Sequence, residues 1–205
     1  MSEIYDAVFK GDLAKTQAAV KQAIEEGQEP QSLIYESMIP AMEAIGKKFE
    51  VGQAFVPNLL MSARAMKGAL DLLKPVMQGG ESAFIGKVVI GTVKGDLHDI
   101  GKNLVASMLE GCGFEVSNIG TDVPKEKFVS ALKETGAQIL CLSALLTTTM
   151  GYMKEVIDAV RSEGLNVKIM VGGAPVNADF AASIGADGYS ANANEAVAVA
   201  KSLIV

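Results

Sequence analysis

From residue 83 onward, short apolar runs alternate with amphipathic helical stretches, and this alternation restricts the chain more than any other feature. Strand candidates lie at 87–93, 114–118, 138–143, 167–171 and a short 187–189. Helical stretches lie near 100–111, 125–135, 149–163, 176–184 and 194–204. Runs such as Val88-Val89-Ile90-Gly91-Thr92-Val93 and Ile139-Leu140-Cys141-Leu142 have the length of strands buried on both faces, the first of them rich in β-branched residues. The pattern predicts an α/β region with a doubly wound parallel sheet of Rossmann-like type. Ligands of such sheets bind at the rim made by the carboxyl ends of the strands. The usual phosphate cradles, GxGxxG and GxxxxGK[ST], are absent from the sequence.

The chain before this region reads as helices only. Asp12 is placed to cap a helix from Leu13 to Glu26, with Gly27 near its end. A second pattern runs from Pro30 to Phe49, with Leu33, Ile34, Met38, Met42, Ile45 and Phe49 as its apolar stripe. Pro40 falls inside it and should kink it or remove one backbone hydrogen bond. A third runs from Val56 or Pro57 to Met77. Helices with short connections predict a small antiparallel bundle. Gln78-Gly79-Gly80-Glu81-Ser82 is a breaker cluster. The expected division is therefore a helical domain over 1–80 and an α/β domain over 83–205.

Composition narrows the partners. The 205 residues carry a formal charge of −6, and the sequence pI is near 4.9. An acidic balance argues against a nucleic-acid partner, which needs a basic face. No apolar run approaches the roughly eighteen residues of a membrane span, and the N-terminus is polar rather than a targeting leader, so no membrane and a cytoplasmic location are expected. Two cysteines make no disulfide framework; Cys141 reads as a buried structural thiol, and Cys112 lies between Gly111 and Gly113. Ten methionines without a tryptophan suit a soft apolar interface.

The residues able to carry chemistry gather at the predicted rim. His98 is the only histidine, placed where the first strand hands over to its helix, between Asp96 and Asp99. A neutral imidazole binds metal through one nitrogen and needs the other N–H held, often by a carboxylate; Asp96, two residues away in a loop, can take that role. The alternative is a solvated turn histidine beside Asp99, which reads as a capping or first-turn acid. The third strand ends in Ser143-Ala144-Leu145-Leu146-Thr147-Thr148-Thr149. Hydroxyls there can donate to a ligand or cap the next helix; Ser143 is the better ligand candidate, and capping is the default for Thr148 and Thr149. The fourth strand ends in Gly172-Gly173, which admits a ligand close to the backbone or makes a tight turn.

Taken together, Asp96-x-His98-x-x-Gly101, Ser143-x-Leu145 and Gly172-Gly173 resemble the cobalamin-binding signature of the corrinoid domains of methionine synthase and the base-off mutases. The resemblance implies that His98 replaces the cofactor's own base as lower axial ligand of cobalt, with Asp96 behind it. Ser143 would follow in that relay or contact the displaced nucleotide tail. The tail would lie beside Gly172 and Gly173, where Gly101 lets the chain pass close, and Leu145 and Thr147 join the cofactor-contacting set.

The segments Gly52-Gln53-Ala54-Phe55-Val56-Pro57-Asn58-Leu59-Leu60 and Ser62-Ala63-Arg64-Ala65-Met66-Lys67 resemble the helical cap found beside such domains in methionine synthase and in the small corrinoid proteins of methylotrophic methanogens and acetogens. Phe55, Leu59 and Met66 become candidates for an apolar cover, Phe55 foremost, with ordinary bundle core as the other reading. The likeness spans essentially the whole chain and implies a methyl carrier. Its partners would be a substrate-specific corrinoid methyltransferase, a second methyltransferase with a folate or thiol acceptor, and a reductive activase. Substrate activation would lie in those partners, so whether the carrier itself counts as an enzyme stays open. A cobalamin-dependent sensor is the alternative, but it needs a DNA-binding element, which an acidic chain starting directly in the cap does not offer. A metal-hydrolase or phosphoryl site at Asp96, His98 and Asp99 is poorly served by one histidine.

Overall fold

The computed structural model describes residues 2–77 and 84–204. The chain forms two compact units, one drawing on Met1–Ile85 and Ser107–Phe114, the other on Gly86–Ala106 and Glu115–Val205. The breaker cluster Gln78–Ser82 expected to divide them lies outside the described residues.

In the first unit, helix α1 (Glu3–Phe9) starts at Ser2, whose hydroxyl accepts from the Tyr5 N–H. Helix α2 (Leu13–Glu25) starts at Asp12, whose carboxylate accepts from the Lys15 N–H at 3.0 Å, and Gly27 follows its end at φ +74°. The second helical pattern is interrupted. Helix α3 (Pro30–Leu33) passes through a π-helical turn, Ile34–Met38, into α4 (Ile39–Glu50). The Ile39 N–H reaches back to the Ile34 carbonyl. Pro40 therefore stands in the first turn of a renewed α-helix, where a missing N–H costs little. Helix α5 (Val56–Leu73) stops four residues short of the expected Met77, because Pro75 cannot extend its ladder, and a 3₁₀ turn, Lys74–Val76, takes over. Val8, Val20, Met38, Met42, Leu59, Met66 and Leu73 are fully buried.

The second unit holds strands β1 (Gly86–Thr92), β2 (Phe114–Asn118), β3 (Ile139–Ser143), β4 (Lys168–Gly172) and β5 (Gly188–Tyr189), in sheet order 2-1-3-4-5. Helices α6 (Ile100–Gly111), α7 (Lys125–Thr135), α8 (Thr147–Met150), α9 (Tyr152–Ser162), α10 (Ala178–Ser183) and α11 (Ala193–Ile204) connect and follow them. The helix expected over 149–163 is split at Gly151. Strands β1, β3, β4 and β5 pair in parallel, with Thr92 opposite Ser143 and Ser143 opposite Gly172. Three segments distant in sequence thus end level at one rim.

Beneath that rim, Val89, Leu140, Leu142, Ile169 and Val171 pack with Phe128, Leu132, Met153, Val156 and Val160 in one buried cluster. Each such side chain contributes about 1.5–3 kcal/mol on burial. Among the described residues no helix is long and apolar enough to cross a membrane.

Gly91 marks where this packing is tightest, since a Cβ there would stand 2.7 Å from the Phe128 ring. Gly91→Ala is expected to destabilise the protein by about 2 kcal/mol through overpacking, read as a lower urea midpoint at unchanged slope. An unshifted midpoint would show that the ring yields freely.

Candidate functional site

The loop between β1 and α6 carries the acid and the imidazole, and neighbouring backbone fixes its course. The Thr92 hydroxyl donates to the His98 carbonyl at 2.8 Å, and the Val93 N–H donates to the Ser143 carbonyl at 3.0 Å. Gly95 turns the chain at φ +84°. Asp122, in the loop after β2, holds the same segment from the other side. Its N–H donates to the Asp96 carbonyl at 2.9 Å, and its carboxylate accepts from the Gly95 N–H at 2.7 Å. Asp122 does so at φ +52°, a conformation Asp tolerates better than most residues.

The Asp96 carboxylate is fully buried and accepts five hydrogen bonds. Oδ1 takes the His98 N–H at 3.0 Å and the ring Nδ1 at 2.7 Å. Oδ2 takes the Leu145 N–H at 2.7 Å, the Leu146 N–H at 3.3 Å and the Thr149 hydroxyl at 2.8 Å. Burial alone would push this carboxyl's pKa up. The donors from Leu145, the His98 backbone and ring, and Thr149 outweigh it and hold the acid well below the ordinary carboxylate range. An ionised carboxylate only accepts, so Nδ1 carries the proton and Nε2 presents its lone pair. The His98 side chain is 51% exposed, so that lone pair is open to a ligand.

Around the imidazole, Leu97, Ile100, Leu145 and Leu146 are exposed apolar side chains, Ile100 at 86%. A Cβ at the exposed Gly101 would meet nothing within 4 Å. Ser143 is half-buried at the end of β3, and Thr147 is exposed at the start of α8. Gly172 and Gly173 end β4 for a packing reason: a Cβ at Gly173, at φ +133°, would collide with the Ala144 carbonyl oxygen, and one at Gly172 would stand 3.2 Å from the Ser190 carbonyl oxygen. A second polar cluster lies at the start of α6. The buried Lys102 ammonium donates to Asn103 and Asn118, and desolvation lowers its pKa. The Asn103 amide in turn donates to the Asp99 carboxylate.

The structure thus brings Asp96, His98 and the Leu145 backbone into direct contact and sets Ser143 and Gly172 side by side on the sheet. Sequence reasoning missed Thr149, assigned to capping, along with the Leu146 N–H and Asp122. The run of hydroxyls after β3 and the acid Asp122 in the loop between β2 and Pro124 were the available signals. In the first unit Phe55 occupies the position before α5, exposed, with its N–H donating to the Asn58 side chain, whereas Leu59 and Met66 are core. Cys112 is buried, and burial pushes the Cys141 thiol up to about 12.

Two family models, each described as a B12 binding domain, match residues 86–198 and 2–74. The dimethylamine corrinoid protein 2 of Methanosarcina acetivorans is 43% identical over 208 residues, covering 100% of this chain and 96% of that protein. Among solved structures, the methanol:cobalamin methyltransferase complex of Methanosarcina barkeri matches with a TM-score of 0.86 and 33% identity, over 98% of this chain and 78% of that one. A cobalamin-binding protein of Desulfitobacterium hafniense matches with a TM-score of 0.82 and 33% identity, over 98% and 96%. Fold and sequence together define a cobalamin-binding protein. The chain belongs to the methyl-carrying corrinoid proteins, and cobalamin is its cofactor.

The depressed acidity of Asp96 has a definite sign in stability. Its contribution is complete above the ordinary carboxylate pKa, near about 4, and is lost as pH falls toward its own lower value. Asp96→Asn is expected to lower stability at pH 7 by roughly 2 kcal/mol, because the amide nitrogen opposes donors that a carboxylate satisfied. The gap should narrow below about pH 4. Denaturation curves of the two proteins running parallel down to pH 2 would contradict this.

Proposed function

We propose that this protein holds cobalamin base-off, with His98 Nε2 as the lower axial ligand of cobalt, and carries a methyl group between two methyltransferases. The observation that carries the reading is the Asp96–His98 pair, a half-exposed imidazole whose Nδ1 lies 2.7 Å from an oxygen of a buried carboxylate. The donor set fits the group. One nitrogen suits a metal that brings its equatorial ligands in a macrocycle, and the exposed Leu97, Ile100, Leu145 and Leu146 suit its apolar flank. When bound, the corrinoid supplies a cobalt centre that accepts and releases the methyl group.

The chain's own residues bind and orient. Asp96 locks the imidazole tautomer and rotation, as partners behind a metal-bound histidine do. Gly101 leaves space beside His98, and Leu145 and Thr147 line the rim. Ser143, Gly172 and Gly173 form the slot for the displaced nucleotide tail. Residues 1–80 serve as a helical cap to the corrinoid-binding stretch 83–205, and the exposed Phe55 belongs to its apolar cover, keeping water from the reactive metal face. The donor side is a substrate-specific corrinoid methyltransferase. The dimethylamine and trimethylamine corrinoid proteins among the relatives favour a methylated amine as its substrate. The acceptor side is a second methyltransferase acting on a folate or thiol, and a reductive activase restores the carrier after oxidation.

Apoprotein mixed with hydroxocobalamin and freed of excess cofactor is expected to retain one equivalent of red corrinoid. His98→Ala should bind roughly tenfold or more weakly and lose the histidine-ligated bands, a cost in the range seen when metal-site partners are removed. Identical spectra and affinities for both proteins would end the axial-ligand assignment.

A further inference from the structure

We infer that Asp122 is a positioning residue for cobalt ligation: it grips the loop after β1 and holds His98 in the pose that presents Nε2. The inference rests on the axial-ligand reading above and adds to it a residue that reaches the loop through its backbone.

The loop has little to hold it from within. Val93, Lys94, Gly95 and Asp96 make a four-residue turn closed by one bond, the Asp96 N–H to the Val93 carbonyl at 3.2 Å, with Gly95 at φ +84°. The Gly95 N–H lies outside that closing bond, and the Asp122 carboxylate accepts it at 2.7 Å. The Asp122 N–H donates to the Asp96 carbonyl at 2.9 Å. One residue thus grips two consecutive loop residues, by its side chain and by its main chain. Its own place is kept by bonds to the end of β1, where the Thr92 N–H donates to the Gly120 carbonyl and the Val123 N–H to the Thr92 carbonyl, each at 3.0 Å.

Among the described residues Asp122 is the one non-glycine at positive φ, +52°. An L-residue holds that conformation against its own Cβ, and only surroundings that over-determine it keep it there. Glycine would take it without strain but brings no acceptor for the Gly95 N–H. Asp122 is exposed, so core packing does not account for it. What its side chain supplies is the bond to the loop. Asp96 Oδ1 then meets the His98 N–H and ring Nδ1 from a backbone that Asp122 holds at Asp96 itself and at the residue before it.

Asp122→Gly and Asp122→Asn separate the grip from the turn. Glycine removes the strain and the acceptor together, whereas asparagine tolerates the same φ and keeps an acceptor oxygen. In the apoprotein, Asp122→Gly is expected to speed amide exchange at Gly95 and His98 several-fold. Val89 and Leu140 in the core strands should keep their rates, and the urea midpoint should hold. Mixed with hydroxocobalamin, Asp122→Gly should bind roughly tenfold more weakly and, at saturation, show a smaller share of the histidine-ligated bands. Asp122→Asn should bring exchange, affinity and spectrum back to wild type. Wild-type exchange and spectrum in Asp122→Gly overturn the inference, as does an Asp122→Asn that behaves like glycine. A merely structural residue would lower the urea midpoint and leave the saturated spectrum unchanged, and that result overturns it too. The exchange arm needs no corrinoid. If wild type binds corrinoid without histidine-ligated bands while Asp122→Gly still speeds exchange at Gly95 and His98, the axial-ligand reading fails and the grip on the loop stands.

Discussion

A charge taken fully out of water must be met by donors on every side, and Asp96 is such a charge. Its five donors come from two segments far apart in sequence, the loop after β1 and the turn into α8. Neither segment alone could hold the carboxylate. The parallel register that sets Thr92 against Ser143 brings them together, and Asp122 fixes the loop from the third side. Much of the rim's local backbone can be read as a cradle built for one anion. The imidazole is then oriented as a by-product of a carboxylate already in place.

The sequence carried the sheet almost in full, because runs such as Val88–Val93 and Ile139–Leu142 are apolar enough to exclude any exposed position. The strands agree with the pattern to within a residue or two at each end. The helical half was legible in existence but not in continuity. The apolar stripe from Leu33 to Phe49 crosses the π-helical turn unbroken, since the hydrophobic period does not register one extra residue in the ladder. Gly173 was visible as a glycine, yet its reason, the approach of the Ala144 carbonyl, exists only once β3 and β4 are paired.

Thr149 shows the limit more sharply. Three consecutive threonines before a helix are chemically equivalent on paper, and each can cap. Which of them turns inward depends on where the helix axis points and on where a carboxylate from a remote loop has been buried. Asp96 and His98 were legible because two residues in a tight loop can meet locally. Their further partners were not, because those contacts span 49 to 53 positions of the chain.

Among the described residues there is no group of three or more histidine, cysteine or carboxylate side chains able to hold a metal ion. The acid nearest His98 has its lone pairs already engaged, so it has little left to offer a cation. A lone aquated divalent ion reaching His98 would gain a single weak bond and leave again. The described residues around His98 thus offer little to a free metal ion. An imidazole that stands alone suits a metal that arrives already chelated.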